Sequence, residues 1–202
     1  MKLLVTCFDP FGKDTTNSSL LVLENLFDEC DGIKIIKQVL PTVRNKSFEV
    51  IERILLEEKD IIAVISLGQA GGRNKISLER VAINIDDFRI EDNEHNQVKD
   101  ETIIEDGMNA YFSTLPIRQI EKELLENDIE VEISNSAGTF VCNHVFYKLM
   151  NICEEKYPDI KAGFIHIPYL YEQDSKGTMT LLKATKAIEL AIETVIKERI
   201  GL

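Results

Sequence analysis

Two rhythms of apolar and polar positions divide this chain. Residues 2–8 and 61–67 are almost unbroken apolar runs, the pattern of strands covered on both faces. Residues 33–40, closed by Pro41, and 162–167, closed by Pro168, read as two more strands. Segments 80–87 and 129–134 alternate apolar and polar residues, as half-buried strands do. Between them the spacing changes to three and four. That spacing predicts helices over 20–27 (capped by Asn17 or Ser18), 45–59, from Pro116 to about Asn127, from Val141 onward, and from a Thr178 cap to Arg199. Strands alternating with helices along the whole chain predict a three-layer α/β/α sandwich around a twisted, largely parallel mixed sheet. At 202 residues this forms one domain, 1–202, with an ample core.

The connections add detail. Asp9-Pro10-Phe11-Gly12 is a turn at the carboxyl end of the first strand, flanked by Phe8 and Phe11, and ligands sit at that edge of open α/β sheets. The glycine-rich segment 68–73 fits no nucleotide-binding spacing, so a sharp turn letting backbone approach a ligand is the better reading. The polar stretch 88–107 is too long for a plain connection, and long loops in compact domains are often functional.

Composition narrows the function. Hydrophobic residues make up 44% and charged residues 29%, as in ordinary soluble domains. A net charge of -12 argues against a nucleic-acid partner, which would call for clustered Lys and Arg. No run is long enough for a signal peptide or a membrane span, so no membrane partner is expected. Cys7, Cys30, Cys142 and Cys153 form no C-x-x-C pair and are expected as reduced thiols in a cytoplasmic protein. No cluster has metal-ligand spacing, and neither a metal nor a cofactor is expected.

Cys142 opens a helix just after the turn Ser134-Asn135-Ser136-Ala137-Gly138-Thr139. Unpaired backbone N–H groups and the positive end of the helix dipole meet there, favouring a thiolate and able to serve an oxyanion. On local grounds alone, a free cysteine is more often inert and buried. A nucleophile needs a base, and three histidines are available. His144 points about 200° around the helix from Cys142. His95 sits in the polar loop, while His166 stands at the carboxyl end of a strand, the edge where Cys142 also emerges. Geometry favours His166. With 35 acids present, spacing cannot choose the group that orients the imidazole, although Glu79 borders apolar segments.

The chain resembles the pyrrolidone-carboxylate peptidase (pyroglutamyl-peptidase type I) family along essentially its full length. The resemblance is carried by Val5-Thr6-Cys7-Phe8-Asp9-Pro10-Phe11-Gly12, Leu40-Pro41-Thr42-Val43 and Gly68-Gln69-Ala70-Gly71-Gly72-Arg73. It continues through Glu79-Arg80-Val81-Ala82-Ile83-Asn84-Ile85-Asp86-Asp87, Glu105-Asp106-Gly107 and Tyr111-Phe112-Ser113-Thr114-Leu115-Pro116-Ile117. Ser136-Ala137-Gly138-Thr139-Phe140-Val141-Cys142-Asn143-His144 and Gly163-Phe164-Ile165-His166-Ile167-Pro168-Tyr169-Leu170 complete it.

The resemblance implies a cytosolic cysteine peptidase that releases 5-oxoproline from peptides with an N-terminal pyroglutamate, through an acyl-enzyme on Cys142. It implies a Glu79–His166–Cys142 triad with Arg89 supporting the oxyanion or substrate carbonyl. It places the lactam ring between Phe8 and Phe11, with Phe140 and Val141 lining the slot, the Gln69 backbone carbonyl taking the ring N–H, and Asn17 giving polar help. It also implies a homo-oligomer, commonly a tetramer. Cys7 and Lys13 stand where the family usually has glycine, and Ile90-Glu91-Asp92 replaces its usual Ile-Pro-Asp. A non-catalytic lactam binder is the alternative, and the intact Cys142, His166 and Glu79 argue against it. A further alternative is an amidase or a phosphorylase on a similar α/β framework, but phosphorylase chemistry would want a phosphate cradle of basic and hydroxyl groups, and none is found in the sequence.

Overall fold

A computed structural model describes residues 1–200; the last two residues of the predicted 1–202 unit lie outside the described residues. Seven strands form the main sheet: β1 (Lys2–Phe8), β2 (Glu29–Cys30), β3 (Ile33–Leu40), β4 (Ile61–Gln69), β5 (Ile76–Glu79), β8 (Val131–Ser134) and β9 (Lys161–Ile167), in the order β2-β3-β1-β4-β9-β5-β8. The pairs β1/β3, β1/β4, β4/β9 and β5/β8 are parallel, whereas β2/β3 and β5/β9 are antiparallel. The sheet is therefore mixed and mostly parallel.

Helices cover both faces. Helices α1 (Ser18–Asn25), α3 (Ile117–Glu126) and α5 (Leu181–Ile200) pack together on one side, where Leu3, Val5 and Cys7 of β1 meet Val22, Ile120, Leu124 and Ile188. Helices α2 (Lys46–Glu57) and α4 (Val141–Lys156) lie on the other, where Leu4 and Phe8 meet Phe48, Ile51, Val145 and Phe146. The alternate residues of β1 feed two separate apolar clusters, which is why the strand reads as continuously apolar. No helix among the described residues is long and apolar enough to cross a membrane.

Two expected elements differ. The strand expected over 80–87 is shorter than its alternation suggested, and a strand not expected from the sequence, β5, precedes it. β5 ends at Glu79 in the main sheet, and β6 (Val81–Ile83) pairs antiparallel with β7 (Ala110–Phe112) in a separate two-stranded sheet. Arg80 turns away because its N–H is taken by the Ser134 carbonyl and its own carbonyl by the Ser113 N–H. The final helix is capped by Thr180 rather than Thr178: the Thr180 hydroxyl accepts from the Lys183 N–H. Thr178 instead donates its backbone N–H to Tyr169, and Met179 bridges Leu170, so this stretch stays extended.

The long stretch 88–107 is firmly tied despite its lack of regular structure. The buried Asp92 carboxylate accepts backbone N–H bonds from Arg44, Glu94 and Asn96. Asn84 accepts from the N–H groups of Ile103 and Ile104. These bonds hold a loop that presents Arg89 to the carboxyl edge of the sheet.

Candidate active site

The carboxyl ends of β4 and β9, the start of α4 and the loop after β1 enclose a cleft of about 710 Å³. His166 lies opposite Gly68 on the parallel neighbour β4 and opposite Ser77 on the antiparallel neighbour β5. Glu79 lies opposite Phe164, two residues before His166. Side chains two apart on a strand share a face, and diagonal neighbours across an antiparallel pair are in reach of each other. The result is a hydrogen bond between His166 Nδ1 and Glu79 Oε1 at 2.7 Å, with Glu79 fully buried and His166 4% exposed. Phe164 packs its ring beside the imidazole, centroid to centroid 4.8 Å. With a carboxylate at Nδ1, the neutral ring carries its proton there and leaves Nε2 as the basic atom.

Cys142 reaches the same cleft from the second position of α4. The helix starts after Phe140, which is extended and offers no side-chain cap. Its first-turn N–H groups are thus left available at the cleft, as the sequence suggested. The acidity of the thiol differs from the expectation. Part of Cys142 faces the cleft, but protein packed around the sulfur pushes the thiol up to about 12, and Glu79 adds to the rise while Arg73 opposes it. Burial therefore works against the thiolate that the helix start favours.

Glu79 goes the other way. Burial raises its carboxyl, but the hydrogen bond and charge of His166, the nearby Ser134 hydroxyl and the Arg73 guanidinium outweigh burial and hold it below the usual carboxylate range. Arg73 was not singled out by sequence reasoning. Its Nη1 lies 2.6 Å from Glu79 Oε1 and its Nη2 donates to the Ser136 carbonyl at 2.9 Å. Its position in the glycine-rich segment was the only available signal.

The remaining predicted residues divide. Phe11, Gln69, Arg89 and Phe140 line the cleft, and Phe11 and Phe140 form a tilted pair at 5.8 Å. Phe8, Asn17 and Val141 are buried and do not line it. Phe8 packs against Phe164 at 6.3 Å, behind the imidazole. Asn17 caps α1 through the Ser19 N–H and donates to the Asp9 carbonyl, which anchors the turn bearing Phe11. Of the two unusual residues, Cys7 lies in the core on the opposite face of the sheet, and Lys13 lines the cleft. Two carboxylates also border the cleft: Asp14 accepts from Gln69 Nε2 and the Tyr169 hydroxyl, and Asp87 faces Lys99 at 3.5 Å.

The other two histidines are engaged elsewhere. His144 is buried with Nδ1 2.8 Å from Asp86, and His95 pairs with Glu91 at the surface. Among the described residues, no group of three or more His, Cys, Asp or Glu could hold a metal ion.

Comparison with known proteins decides the family. The pyroglutamyl peptidase family model matches residues 1–198. The chain belongs to the pyroglutamyl peptidase family. It is 50% identical to the pyrrolidone-carboxylate peptidase of Thermosipho melanesiensis over 98% of this chain and 100% of that one. It is 52% identical to the one from Fusobacterium nucleatum, over 96% and 92% of the two chains. The crystal structure of pyroglutamyl peptidase I from Bacillus amyloliquefaciens superposes with a TM-score of 0.93 at 40% identity, covering 98% of each chain. This pyroglutamyl peptidase is a cysteine peptidase of type I, a family whose activity is hydrolysis after an N-terminal pyroglutamyl residue.

Proposed function

We propose that the protein carries out this hydrolysis through a thioester on Cys142, with His166 as acid and base and Glu79 as the group that orients it. The observation that carries the reading is the 2.7 Å Glu79–His166 bond on the wall of the cleft into which Cys142 opens. The proton of the Cys142 thiol passes to His166 Nε2 as the sulfur attacks the pyroglutamyl carbonyl carbon. The C–S bond forms, the carbonyl oxygen becomes an oxyanion, and the first-turn N–H groups of α4 with Arg89 stabilise it. His166 then hands its proton to the departing amine as the C–N bond breaks. Water, deprotonated by the same imidazole, attacks the thioester; the C–S bond breaks, 5-oxoproline leaves, and His166 returns the proton to the Cys142 sulfur.

Phe11 and Phe140 supply flat walls for the lactam ring, and the Gln69 backbone carbonyl accepts its N–H. Phe8, Asn17 and Val141 support this slot from behind. An N-terminal ammonium entering the flat apolar slot between Phe11 and Phe140 would have to shed its water there, so unblocked peptides are disfavoured. On the family resemblance, the protein is one domain, cytoplasmic and homotetrameric. It acts on pyroglutamyl peptides without metal, cofactor, nucleic-acid or membrane partner.

The test is to incubate the protein with a pyroglutamyl coumarin amide and with its unblocked alanyl analogue. Cleavage of the first alone, abolished by iodoacetamide and by Cys142→Ala, supports the proposal. Cleavage surviving Cys142→Ala contradicts it.

A further inference from the structure

Glu79 does not serve His166 alone. Its Oε1 receives both His166 Nδ1, at 2.7 Å, and Arg73 Nη1, at 2.6 Å, while Oε2 is buried without a partner. Arg73 is about three-quarters buried, its side chain being 27% exposed, and its second nitrogen donates to the carbonyl of Ser136. That carbonyl belongs to the turn leading into α4 and Cys142. One guanidinium therefore joins the glycine-rich loop after β4, the acid of the triad and the turn that delivers the nucleophile.

A carboxylate removed from water needs a compensating charge, and a planar guanidinium supplies it while reaching two acceptors at once. The bond from Arg73 also weakens the pull of Glu79 on a proton at His166. We propose that Arg73 is a positioning and charge-setting residue of the triad, holding Glu79 as a buried carboxylate aimed at His166 Nδ1. The inference rests on the reading of Cys142, His166 and Glu79 given above. Arg73 touches no reacting atom in that reading and acts through Glu79.

The direction of its effect follows from charge. Without a cation beside it, Glu79 holds a proton to higher pH. That change moves the acid limb of kcat/KM upward. The Cys142 thiol moves with it, since Arg73 is the side chain that eases its ionisation.

The experiment compares the intact protein with Arg73→Gln, which keeps amide donors but no charge, and Arg73→Lys, which keeps the charge but not the fork. The pH profile of kcat/KM on a pyroglutamyl coumarin amide is recorded for each, after thermal melting confirms folding. In parallel, the alkylation rate of Cys142 by iodoacetamide is followed at each pH by peptide mass spectrometry. For Arg73→Gln the acid limb is expected to rise by about one pH unit, the low end of the range for a nearby opposite charge because Arg73 is partly hydrated. The alkylation profile moves upward with it, and Arg73→Lys restores both most of the way. A profile lowered by one constant factor at every pH, or a Lys variant no better than Gln, overturns the inference. So does failure of both variants to fold, which would assign Arg73 to structure alone. Failure of the underlying reading looks different: the unaltered protein leaves the amide uncut, or Cys142→Ala still cuts it. The alkylation profile still tests Arg73 in that case.

Discussion

A β-carbon added to Gly68 would stand 3.0 Å from Cys142 Sγ and 2.8 Å from the ring carbons of Phe164. Gly68 is opposite His166 on the neighbouring strand, so its missing side chain makes the space in which the sulfur and the imidazole share one cleft. Phe164 is buried and cannot swing aside without disturbing its contacts with Phe8 and His166. Gly68→Ala is therefore expected to displace the thiol, lowering kcat/KM by about 10²-fold, the penalty of a misplacement near 1 Å. Kinetics alongside thermal melting check this: the activity loss should exceed anything explained by the change in melting temperature.

Glu79→Gln keeps the size of the side chain but removes the charge, and its amide can offer N–H where the imidazole needs an acceptor. The ring is then free to take the wrong tautomer. A fall in kcat of about 10²–10⁴-fold is expected, with KM changed far less. Steady-state kinetics on a pyroglutamyl amide provide the comparison, and a variant retaining full kcat would remove Glu79 from the chemistry.

The same pair leaves a mark on acid stability. The ordinary carboxyl value for Glu79 is 4.5 and the folded value is lower. A depressed carboxyl stabilises the fold above its unfolded value and loses that contribution as pH falls through the folded value. The unaltered protein should therefore lose melting temperature below pH 4.5 more steeply than Glu79→Gln does. Asp92, which is depressed as well, is present in both proteins and cancels from the difference. Melting curves over a pH series read the slope directly.

Next to the nucleophile, Asn143 is fully buried and ties α4 to the edge of the small sheet. Its amide accepts from the Ile83 N–H at 3.0 Å and donates to the carbonyls of Ile83 and Ile85 at 2.9 and 3.0 Å. Asn143→Ala leaves those backbone groups without partners, and a loss of about 2–4 kcal/mol is expected. Chemical denaturation measures it.

The layers of the fold were legible because β1 and β4 are covered on both faces and carry almost unbroken apolar runs. The strand holding the triad acid was not. Ser77 and Glu79 of β5 look like outward-facing polar residues, yet both are buried, Ser77 bonded to Glu132 and Glu79 to His166 and Arg73. Periodicity therefore favoured the more visible alternation of Val81, Ile83 and Ile85 and passed over β5. The cleft divided in the same way. His166 could be picked from its place at a strand end, but burial of Phe8 and the acidity of Cys142 depend on how α4 packs over the sheet. Arg73 sits in a loop whose path no local pattern defines.

The central claim is a covalent one, and trapping the intermediate tests it most directly. The protein is mixed with a pyroglutamyl ester, quenched in acid during turnover, digested and analysed by mass spectrometry. The mechanism predicts a pyroglutamyl group on the peptide containing Cys142, absent from those containing Cys7, Cys30 and Cys153, and more abundant when water attack is slowed at low pH. Turnover with the acyl group on another residue, or continuing undiminished in Cys142→Ala, would contradict it.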